Sequence, residues 1–395
     1  RSMVKPAMSR SPEPSKHRSI PLTKAKVTVV GGGPAGSATA LALLKNKAAS
    51  VTLLHKPISK PFTIGESLAP NACQQLSFLE VHDSFKRLNS LICHGTYAKW
   101  FDGPPVYNDY MSKGLGYGWH LDRASFDNWL RQQAVEAGAE LLCIRNINKL
   151  QKHNDAWNLS VTDTVCAETD ISSDILIDAS GRKAAVATRL GAKKKVLDHL
   201  TAFALRLPSS MFSSSAAKAY SLVEATQFGW WYCAPVPNKH TVISFQTEAD
   251  VGRELNLRNP EQFLSLYAAN TLMPKIVDPD ATGDIRRVET FAASTQFLDC
   301  CTGNNWMAVG DAALAMDPLT SSGIVSALDD GIYAAQAICK VLGKSSADPE
   351  FSDYRRRIDR ARNIYLTQRN WFYKNSLMTR HFDKGQSSFS QNQVN

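Results

Sequence analysis

The hydrophobic pattern along the chain first becomes regular at residue 27. Val27–Val30 is a short apolar run rich in β-branched residues, which is typical of a buried strand. It leads into the turn Gly31–Gly36, and the alanine- and leucine-rich stretch Ala35–Lys47 then predicts a helix. A second apolar run at Val51–Leu54 predicts another buried strand. The order strand, glycine turn, helix, strand predicts a β-α-β unit.

The glycines between this strand and helix have the spacing of a dinucleotide-binding turn. Gly31 would allow the tight turn, Gly33 would let a pyrophosphate approach the backbone, and Gly36 would let the helix pack closely on the strand. The helix N-terminus would then offer free N–H groups and a positive dipole to the phosphates. At the end of the second strand, where a carboxylate usually binds the ribose, the chain has His55, a weaker anchor for a hydroxyl.

The middle of the chain alternates strand-like runs with turns, which predicts a meandering antiparallel sheet. These runs are Thr201–Leu207, Tyr220–Ala225, Gly229–Pro235 and His240–Gln246. No second β-α-β unit follows them. Any NAD(P)H is therefore expected to bind transiently, or another reductant to be used.

Regular patterns return toward the C-terminal part of the chain. Trp306–Val309 predicts a short strand, and two helices are predicted over about Ser322–Leu342 and Glu350–Tyr373. The second of these helices is basic, and the residues after it are rich in Ser, Gln and Asn and expected to fray.

Composition narrows the class of protein. The chain has 395 residues, 44% of them hydrophobic and 21% charged, which excludes full disorder. No uninterrupted apolar run is long enough to span a bilayer, so no stable membrane insertion is expected. The eight cysteines show no CxxC spacing, so we expect reduced thiols in a cytoplasmic protein and no metal site.

The net charge of +9 is concentrated at the two ends of the chain. Residues 1–26 carry seven Lys or Arg and one acid, and residues 355–395 carry nine and two. No nucleic-acid-binding motif accompanies this charge, so a nucleic-acid partner is not expected. The basic ends are interpreted either as a solubilising fringe, with a mobile leader over 1–24, or as an attachment surface for an acidic partner protein.

Five further segments have polar residues and glycines at places where strands end or helices begin. Taken singly, each is a turn or a helix cap. The segments are Ile64–Pro70, Gly118–Arg123, Asp178–Arg182, Val309–Ala313 and Asp317–Ile324.

The order and spacing of these segments over about residues 26–345 resemble single-component FAD enzymes of the para-hydroxybenzoate-hydroxylase type. That group includes geranylgeranyl reductases and flavin-dependent tryptophan halogenases. The resemblance implies an α/β fold, with a Rossmann-like FAD-binding domain of the GR2 type, an inserted antiparallel β-sheet substrate domain and C-terminal helices. The domains expected are an FAD-binding part over 25–90, 120–198 and 286–345, a substrate part over 91–119 and 199–285, and a basic helix and tail over 346–395.

The resemblance also implies which residues hold FAD. The glycine turn would bind the pyrophosphate, Asp311 the ribityl hydroxyls, and the start of the long helix the flavin edge, where a positive dipole stabilises reduced flavin. The implied FAD-binding residues are Gly31, Gly33, Pro34, Ala35, Gly36, His55, Glu66, Ser67, Arg123, Asp178, Gly181, Asp311, Pro318, Ser322, Gly323 and Ile324.

Gly65–Leu68 narrows the resemblance to the tryptophan-halogenase branch, but two halogenase features are missing. Halogenases have a glutamate directly after Asp-Pro-Leu, where this chain has Thr320. They also carry a lysine after the Gly-Glu-Ser turn, which here is Gly65–Ser67. In this chain the only candidate for that lysine is Lys99. Without both groups, halogenation lacks its base and its carrier of hypohalous acid.

The turn Gly65–Pro70 and the chain length resemble more specifically the flavoproteins that mature tryptophylquinone enzymes. Those flavoproteins serve lysine and glycine oxidases and quinohemoprotein amine dehydrogenases, and hydroxylate a tryptophan within a partner protein. The resemblance therefore implies a monooxygenase that uses FAD, molecular oxygen and an electron donor such as NAD(P)H. Its protein substrate would be the precursor of a quinone-cofactor oxidase or dehydrogenase.

The candidate catalytic residues are Glu66, His94 and Thr320, with His120 and His240 weighed as further bases. For each histidine a structural role is the more common one. For Trp230, Trp231 and Tyr232, a place in the core of the sheet is favoured over a role as a platform for an aromatic substrate.

Other functions stay open at this point. A reductase of an isoprenoid lipid or a hydroxylase of a small aromatic would share the fold and FAD. A non-catalytic escort protein of this fold typically loses the FAD-contacting motifs, which are present here, and a visible flavin spectrum separates it from an enzyme.

Overall fold

The computed structural model describes residues 24–57, 59–213, 219–277, 285–342 and 351–378. The basic leader predicted over residues 1–24 lies outside this part of the chain except for Lys24, as does the tail from residue 379.

Twenty-one strands are assigned within the described residues. In chain order they are β1 (Ala25–Val30), β2 (Ala49–His55), β3 (Ser67–Leu68), β4 (Leu91–Cys93), β5 (Gly95–Lys99), β6 (Val106–Asp109), β7 (Gly118–His120), β8 (Glu140–His153), β9 (Ala156–Asp163), β10 (Glu168–Ser173), β11 (Ile175–Asp178), β12 (Lys194–Val196), β13 (Leu200–Pro208), β14 (Tyr220–Thr226), β15 (Gly229–Val236), β16 (His240–Glu248), β17 (Glu289–Ala292), β18 (Gln296–Leu298), β19 (Thr302–Gly303), β20 (Trp306–Ala308) and β21 (Leu314–Ala315).

Eight α-helices accompany these strands in the described residues. They are α1 (Pro34–Lys45), α2 (Ala72–Phe78), α3 (His82–Phe85), α4 (Arg123–Glu136), α5 (Ala249–Glu254), α6 (Pro260–Ala268), α7 (Gly323–Leu342) and α8 (Ser352–Lys374). None of the helices in this part of the chain is long and apolar enough to cross a membrane.

An eight-stranded sheet forms the nucleotide-binding side of the molecule, in the order β10-β9-β8-β2-β1-β11-β20-β19. Its centre is parallel, with Val30 of β1 paired to Leu54 of β2 on one side and to Asp178 of β11 on the other. Such central strands are buried on both faces, which explains the unbroken apolar runs. Helices α1 and α7 pack on one another, and a side chain at Gly331 of α7 would lie 2.6 Å from the Ala35 carbonyl oxygen.

The parallel strands deliver three turns to one edge of this sheet. Gly31 follows β1, Ala179 follows β11, and Val309 follows β20. Their backbones are joined, because the Ala179 N–H donates to the Val30 carbonyl and the Val309 N–H to the Asp178 carbonyl, each at 2.9 Å. Ligands bind at this edge in open α/β sheets.

A seven-stranded sheet, in the order β17-β13-β16-β15-β14-β5-β6, covers that edge. Its strands β13 to β16 are the runs predicted from the sequence, and only the β14–β5 pair is parallel. The edge strand β17 falls within the segment 286–345, which we assigned to the FAD-binding part from the sequence. Domain boundaries drawn from the sequence stay a prediction.

Candidate active site

A cavity of about 440 Å³ lies between the carboxyl edge of the parallel strands and the inner face of the seven-stranded sheet. It brings together eleven of the residues that the sequence predicted for cofactor binding or catalysis. They are Gly33, Pro34, Ala35, Glu66, Ser67, Arg123, Gly181, Asp311, Pro318, Gly323 and Ile324.

Two glycines of the first turn are required by the packing of the chain itself. Gly31 has a φ of +124°, and a Cβ there would lie 2.1 Å from the Ala179 carbonyl oxygen. A Cβ at Gly36 would lie 1.9 Å from the Gly31 carbonyl oxygen. Neither residue lines the cavity, so both glycines shape the turn rather than face the cofactor.

Gly33 differs, because a Cβ on it would meet no atom within 4 Å and would project into open space. It is also the N-cap of α1, with no side chain bonded to the helix N–H groups and with Pro34 at the first helical position. The free N–H groups and the positive end of the helix therefore face the cavity, as a pyrophosphate requires. Gly323, at the start of α7, is open in the same way.

Arg123 is held at the cavity wall by the turn that precedes β3. Its Nη1 donates to the Ile64 carbonyl oxygen at 2.9 Å, and its Nη2 pairs with Asp127 at 3.2 Å. Gly65 has a φ of +98°, and a Cβ on it would lie 2.6 Å from the same guanidinium. Asp122 begins the helix by accepting the Ser125 N–H, so the cap aims Arg123 at the cavity.

Asp311 and Arg182 form a pair beside the glycine turn. Their Oδ2 and Nε atoms are 3.4 Å apart, and the Asp311 side chain keeps 43% of its surface exposed. Burial around the cavity raises the pKa of Asp311, while Arg182 and Arg123 lower it. The carboxylate retains acceptor capacity for the hydroxyls of a ribityl chain.

Replacing Asp311 by Asn should weaken FAD binding by about 1.5 kcal/mol, roughly tenfold, because a charged acceptor becomes a neutral one. The fold should survive, since Asp311 is not buried in the core. Titration of apoprotein with FAD, followed by quenching of flavin fluorescence, gives the dissociation constant. An unchanged constant would contradict the role.

Asp178 lies at the end of β11 but does not reach the cavity. Its carboxylate accepts the Ser180 N–H and Oγ–H at 2.9 and 2.6 Å, and the N–H groups of Val186 and Ala187 at 2.9 and 2.7 Å. These four bonds fill the acceptor capacity of a carboxylate. Asp178 therefore fixes the turn that carries Gly181, which does line the cavity and has a φ of +68°.

His55 also stays outside the cavity lining. Its ring lies under the glycine turn, with Nδ1 only 3.1 Å from where a Cβ on Gly32 would stand. Burial and the neighbouring Arg131 lower the pKa of His55 to about 4, so its imidazole is neutral at physiological pH. A neutral imidazole has one donor and one acceptor to offer a hydroxyl.

Glu66 is a buried ionisable group of the cavity wall. Its side chain is 2% exposed, and its Oε1 has no hydrogen-bond partner among the described residues. Burial raises the pKa of Glu66 to about 7, although Arg123 and Arg206 act in the opposite direction. A carboxyl group with this pKa exchanges protons near neutral pH, which suits a general acid or base.

The aromatic residues of β15 divide by the alternation of the strand. Trp231 points into the core and packs on Phe245 at 4.7 Å between ring centroids, as the sequence favoured. Trp230 and Tyr232 line the cavity instead. The period of two along a strand could have separated them in the sequence.

Tyr232 ends a chain of buried polar groups that sequence reasoning missed. Its hydroxyl lies 2.8 Å from Ser67 Oγ, which lies 2.6 Å from Ser221 Oγ, which in turn lies 3.0 Å from His120 Nε2. Burial lowers the pKa of His120 to about 3, so the ring is neutral. These contacts fix the Gly65–Leu68 turn against the seven-stranded sheet.

The other catalytic candidates are placed elsewhere. His94 is outside the cavity lining, with its ring 6.0 Å from Tyr220. Thr320 and Ser322 lie next to the lining, and their hydroxyls are 2.7 Å apart. Lys99 lies outside the cavity lining, and its ammonium donates to Thr271 Oγ1 at 3.2 Å. Lys60, which the sequence did not single out, lies in the cavity wall, with its ammonium 3.9 Å from the Phe291 ring centroid.

Comparison with known proteins agrees with this geometry. The sequence model of the FAD binding domain family matches residues 24–364, so the chain belongs to that family. It is a FAD-dependent oxidoreductase of the flavin monooxygenase type. Its cavity fits the cofactor, because Gly33 at the N-terminus of α1 leaves room for phosphates and Gly323 at the start of α7 leaves the opposite wall open.

One relative is the putative FAD-dependent oxidoreductase LodB of Marinomonas mediterranea, 27% identical over 78% of this chain and 83% of that protein. The fold resembles the myxobacterial chondrochloren halogenase CndH, at a TM-score of 0.77 and 21% identity over 91% and 85% of the two chains. It also resembles the peptidyl tryptophan dihydroxylase QhpG, at a TM-score of 0.66 and 20% identity over 90% and 76%. Several other relatives bear the name flavin-dependent halogenase.

Proposed function

We propose that this enzyme is a monooxygenase that hydroxylates a tryptophan side chain in a partner protein during biogenesis of a quinone cofactor. The observation that carries the proposal is the buried carboxyl of Glu66, whose Oε1 has no hydrogen-bond partner among the described residues, in a wall that also holds Trp230 and Tyr232. The likeness of the fold to a peptidyl tryptophan dihydroxylase supports the same substrate class.

The chemistry divides between the cofactor and the chain. FAD, reduced by two electrons from NAD(P)H or another donor, would supply the activation of dioxygen. One oxygen atom would form a bond to an indole carbon and the other would leave as water. The hydrogen that this carbon loses would leave as a proton, and the carboxylate of Glu66 in the cavity wall would accept it.

The cavity walls would position the substrate ring and exclude water from the reacting atoms. Trp230 and Tyr232 lie in the cavity wall, where an indole ring would pack against them in offset or edge-to-face geometry. The polar chain from Tyr232 to His120 keeps the Tyr232 ring fixed. A fixed wall holds the reacting carbon near the cofactor and limits the entry of water.

The test is co-expression with the product of a neighbouring gene, followed by intact-mass analysis of that partner. A gain of about 16 or 32 Da, for one or two added oxygen atoms, is expected with this enzyme and not with a variant that binds no FAD. Peptide mapping should place the gain on tryptophan. A partner of unchanged mass in the presence of flavin-loaded enzyme and reductant would count against the proposal.

Halogenation is the second candidate, because relatives named as halogenases share the family and Lys60 lies in the cavity wall. The ammonium of Lys60, however, donates to the Thr290 carbonyl oxygen and lies over Phe291. Thr320 also supplies no carboxylate beside the cavity.

Supplying chloride or bromide with reduced flavin and free tryptophan should therefore yield no halogenated product. The physical reason is that Thr320 cannot act as the base of that reaction. Mass spectrometry against a no-enzyme control makes the measurement. Chlorotryptophan above that control would favour a halogenase over a hydroxylase.

A protein substrate also gives a role to the basic helix α8. Replacing Arg356 and Arg360, both exposed, by Glu should slow the reaction on the partner, as should raised salt, because exposed charges are screened over about 8 Å at physiological salt. Reduction of the flavin by NAD(P)H should change little. A partner reaction that is independent of salt and of both substitutions would exclude electrostatic steering.

A further inference from the structure

Helix α8 places three buried side chains against the cavity wall. Tyr365, Arg369 and Tyr373 are four residues apart, so they share one face of the helix. All three lie beyond residue 364, where the match to the family ends.

Arg369 joins two carboxylates from different parts of the chain. Its Nη2 lies 2.9 Å from Asp198 Oδ2, and its Nε lies 3.3 Å from Asp317 Oδ2. The side chains of Arg369 and Asp317 are 10% and 0% exposed, so water screens this pair little. Asp198 is itself anchored, because it accepts the Leu200 and Thr295 N–H groups at 3.1 Å.

Asp317 is the second residue of the cavity-lining segment Met316–Ile324. Its Oδ1 accepts the Leu319 N–H at 3.1 Å, which closes a short 3-10 turn. The turn ends at Ser321 in a left-handed conformation, with a φ of +48°, just before Gly323 opens α7. The position of Asp317 therefore determines the course of the segment that faces the cavity.

Tyr365 and Tyr373 hold the neighbouring walls. The Asp317 backbone N–H donates to the Tyr365 hydroxyl at 3.0 Å, and that hydroxyl pairs with Thr295 Oγ1 at 2.7 Å. The indole N–H of Trp230 donates to the Tyr373 hydroxyl at 3.3 Å. Helix α8 thus contacts the Asp317 segment and the seven-stranded sheet together.

We infer that Arg369 and Tyr365 are positioning residues, which hold the Asp317 segment in the form that binds FAD without touching the cofactor themselves. The inference requires FAD binding and is independent of the substrate. Removing Arg369 would leave Asp317 as a buried carboxylate without its cation, and the segment would move to hydrate it. Removing the Tyr365 hydroxyl would free the Asp317 N–H.

The experiment measures FAD affinity of the full chain by fluorescence titration, with circular dichroism as the check on folding. Arg369→Met should weaken FAD binding at least tenfold at neutral pH, Arg369→Lys less, and Tyr365→Phe about threefold, since one hydrogen bond is lost. Lys374→Met, which removes a positive charge from an exposed position of α8, should bind FAD like the wild type.

The pH dependence separates positioning from general damage. Burial and the neighbouring Asp198 raise the pKa of Asp317, while Arg369, the Leu319 N–H and the Tyr373 hydroxyl lower it. Without Arg369 this carboxyl therefore takes up a proton more readily. Arg369→Met should regain FAD affinity as pH falls, because the neutral carboxyl no longer needs a cation. The double variant Asp317→Asn with Arg369→Met should bind FAD better than Arg369→Met at neutral pH and lose the part of the pH dependence that Asp317 causes, while Asp198 remains.

Two results would overturn the inference. One is wild-type FAD affinity in Arg369→Met. The other is a loss in Arg369→Met that neither low pH nor Asp317→Asn relieves, which would show general disruption of packing. If Arg369→Met does not fold, Arg369→Lys and Tyr365→Phe decide, and wild-type affinity in both would overturn it equally.

Discussion

Replacing Glu66 by Gln should lower the hydroxylation rate of the partner protein by about 10² to 10³-fold, while FAD stays bound. The amide has nearly the shape of the carboxyl group but accepts no proton at neutral pH. The loss should therefore appear in turnover, measured by mass analysis of the partner over time. Glu254→Gln, on the exposed side of α5, is the matched control and should keep the wild-type rate.

The pH profile gives the same residue a second test. Burial raises the pKa of Glu66 to about 7, and a proton acceptor works only when ionised, so the wild-type rate should rise with pH through about 7. The Glu66→Gln variant should lack this limb. A Glu66→Gln variant that keeps more than a third of the wild-type rate, or whose rate still rises with pH through about 7, would show that Glu66 is not the proton acceptor.

The folding stability of the protein should depend on pH in the opposite sense to the reaction rate. Because the pKa of Glu66 is higher in the folded protein than in the unfolded chain, the folded state holds its proton longer, and stability falls as pH rises from about 4.5 toward 7. Above pH 7 the Glu66→Gln variant should melt at a higher temperature than the wild type, and below pH 4.5 at a similar one. Thermal melts across this range measure the shift without any substrate.

Replacing Gly33 by Val should weaken FAD binding by roughly 10²-fold, about 2.7 kcal/mol, and leave the fold of the apoprotein intact. Gly33 has a φ of −84° and a ψ of −173°, which valine adopts without strain. A Cβ there meets no protein atom within 4 Å, so the new side chain would project into the cavity, where we expect the pyrophosphate to bind.

Gly36 provides the contrast for this prediction. A Cβ there would lie 1.9 Å from the Gly31 carbonyl oxygen, so Gly36→Ala should lower both the melting temperature and FAD affinity. Gly33→Val should lower FAD affinity alone. Equal melting losses in the two apoproteins would show that Gly33 serves the turn and not the cofactor.

Much of the cofactor side of the molecule could be predicted from the sequence, because its signals are local. The turn Gly31–Gly36 and helix α1 are fixed by glycines and periodicity within a few residues. The fold class is confirmed, and so are the strands β13 to β16. The apolar runs Val27–Val30 and Val51–Leu54 are buried strands, as predicted.

What the sequence missed depends on contacts between distant residues. Strands β8, β9 and β10 were not predicted, although Trp157, Leu159 and Val161 of β9 alternate with polar residues. Asp178 has the sequence context of a cofactor residue, and only the folded turn shows its oxygens filled by backbone N–H groups. The pairing of Arg369 with Asp317 spans 52 residues and leaves no local mark in the sequence.

The distribution of the cavity walls along the chain bears on when the cofactor can enter during biosynthesis. Chains are made from the N-terminus, so the turn at Gly33 is synthesised early, while Gly323 and Ile324 on the same cavity come almost 300 residues later. A nascent chain thus carries the turn that we expect to bind the phosphates long before the opposite wall exists. Stable retention of FAD is expected to begin only after α7 has been made, which makes loading of this enzyme a late event in its folding.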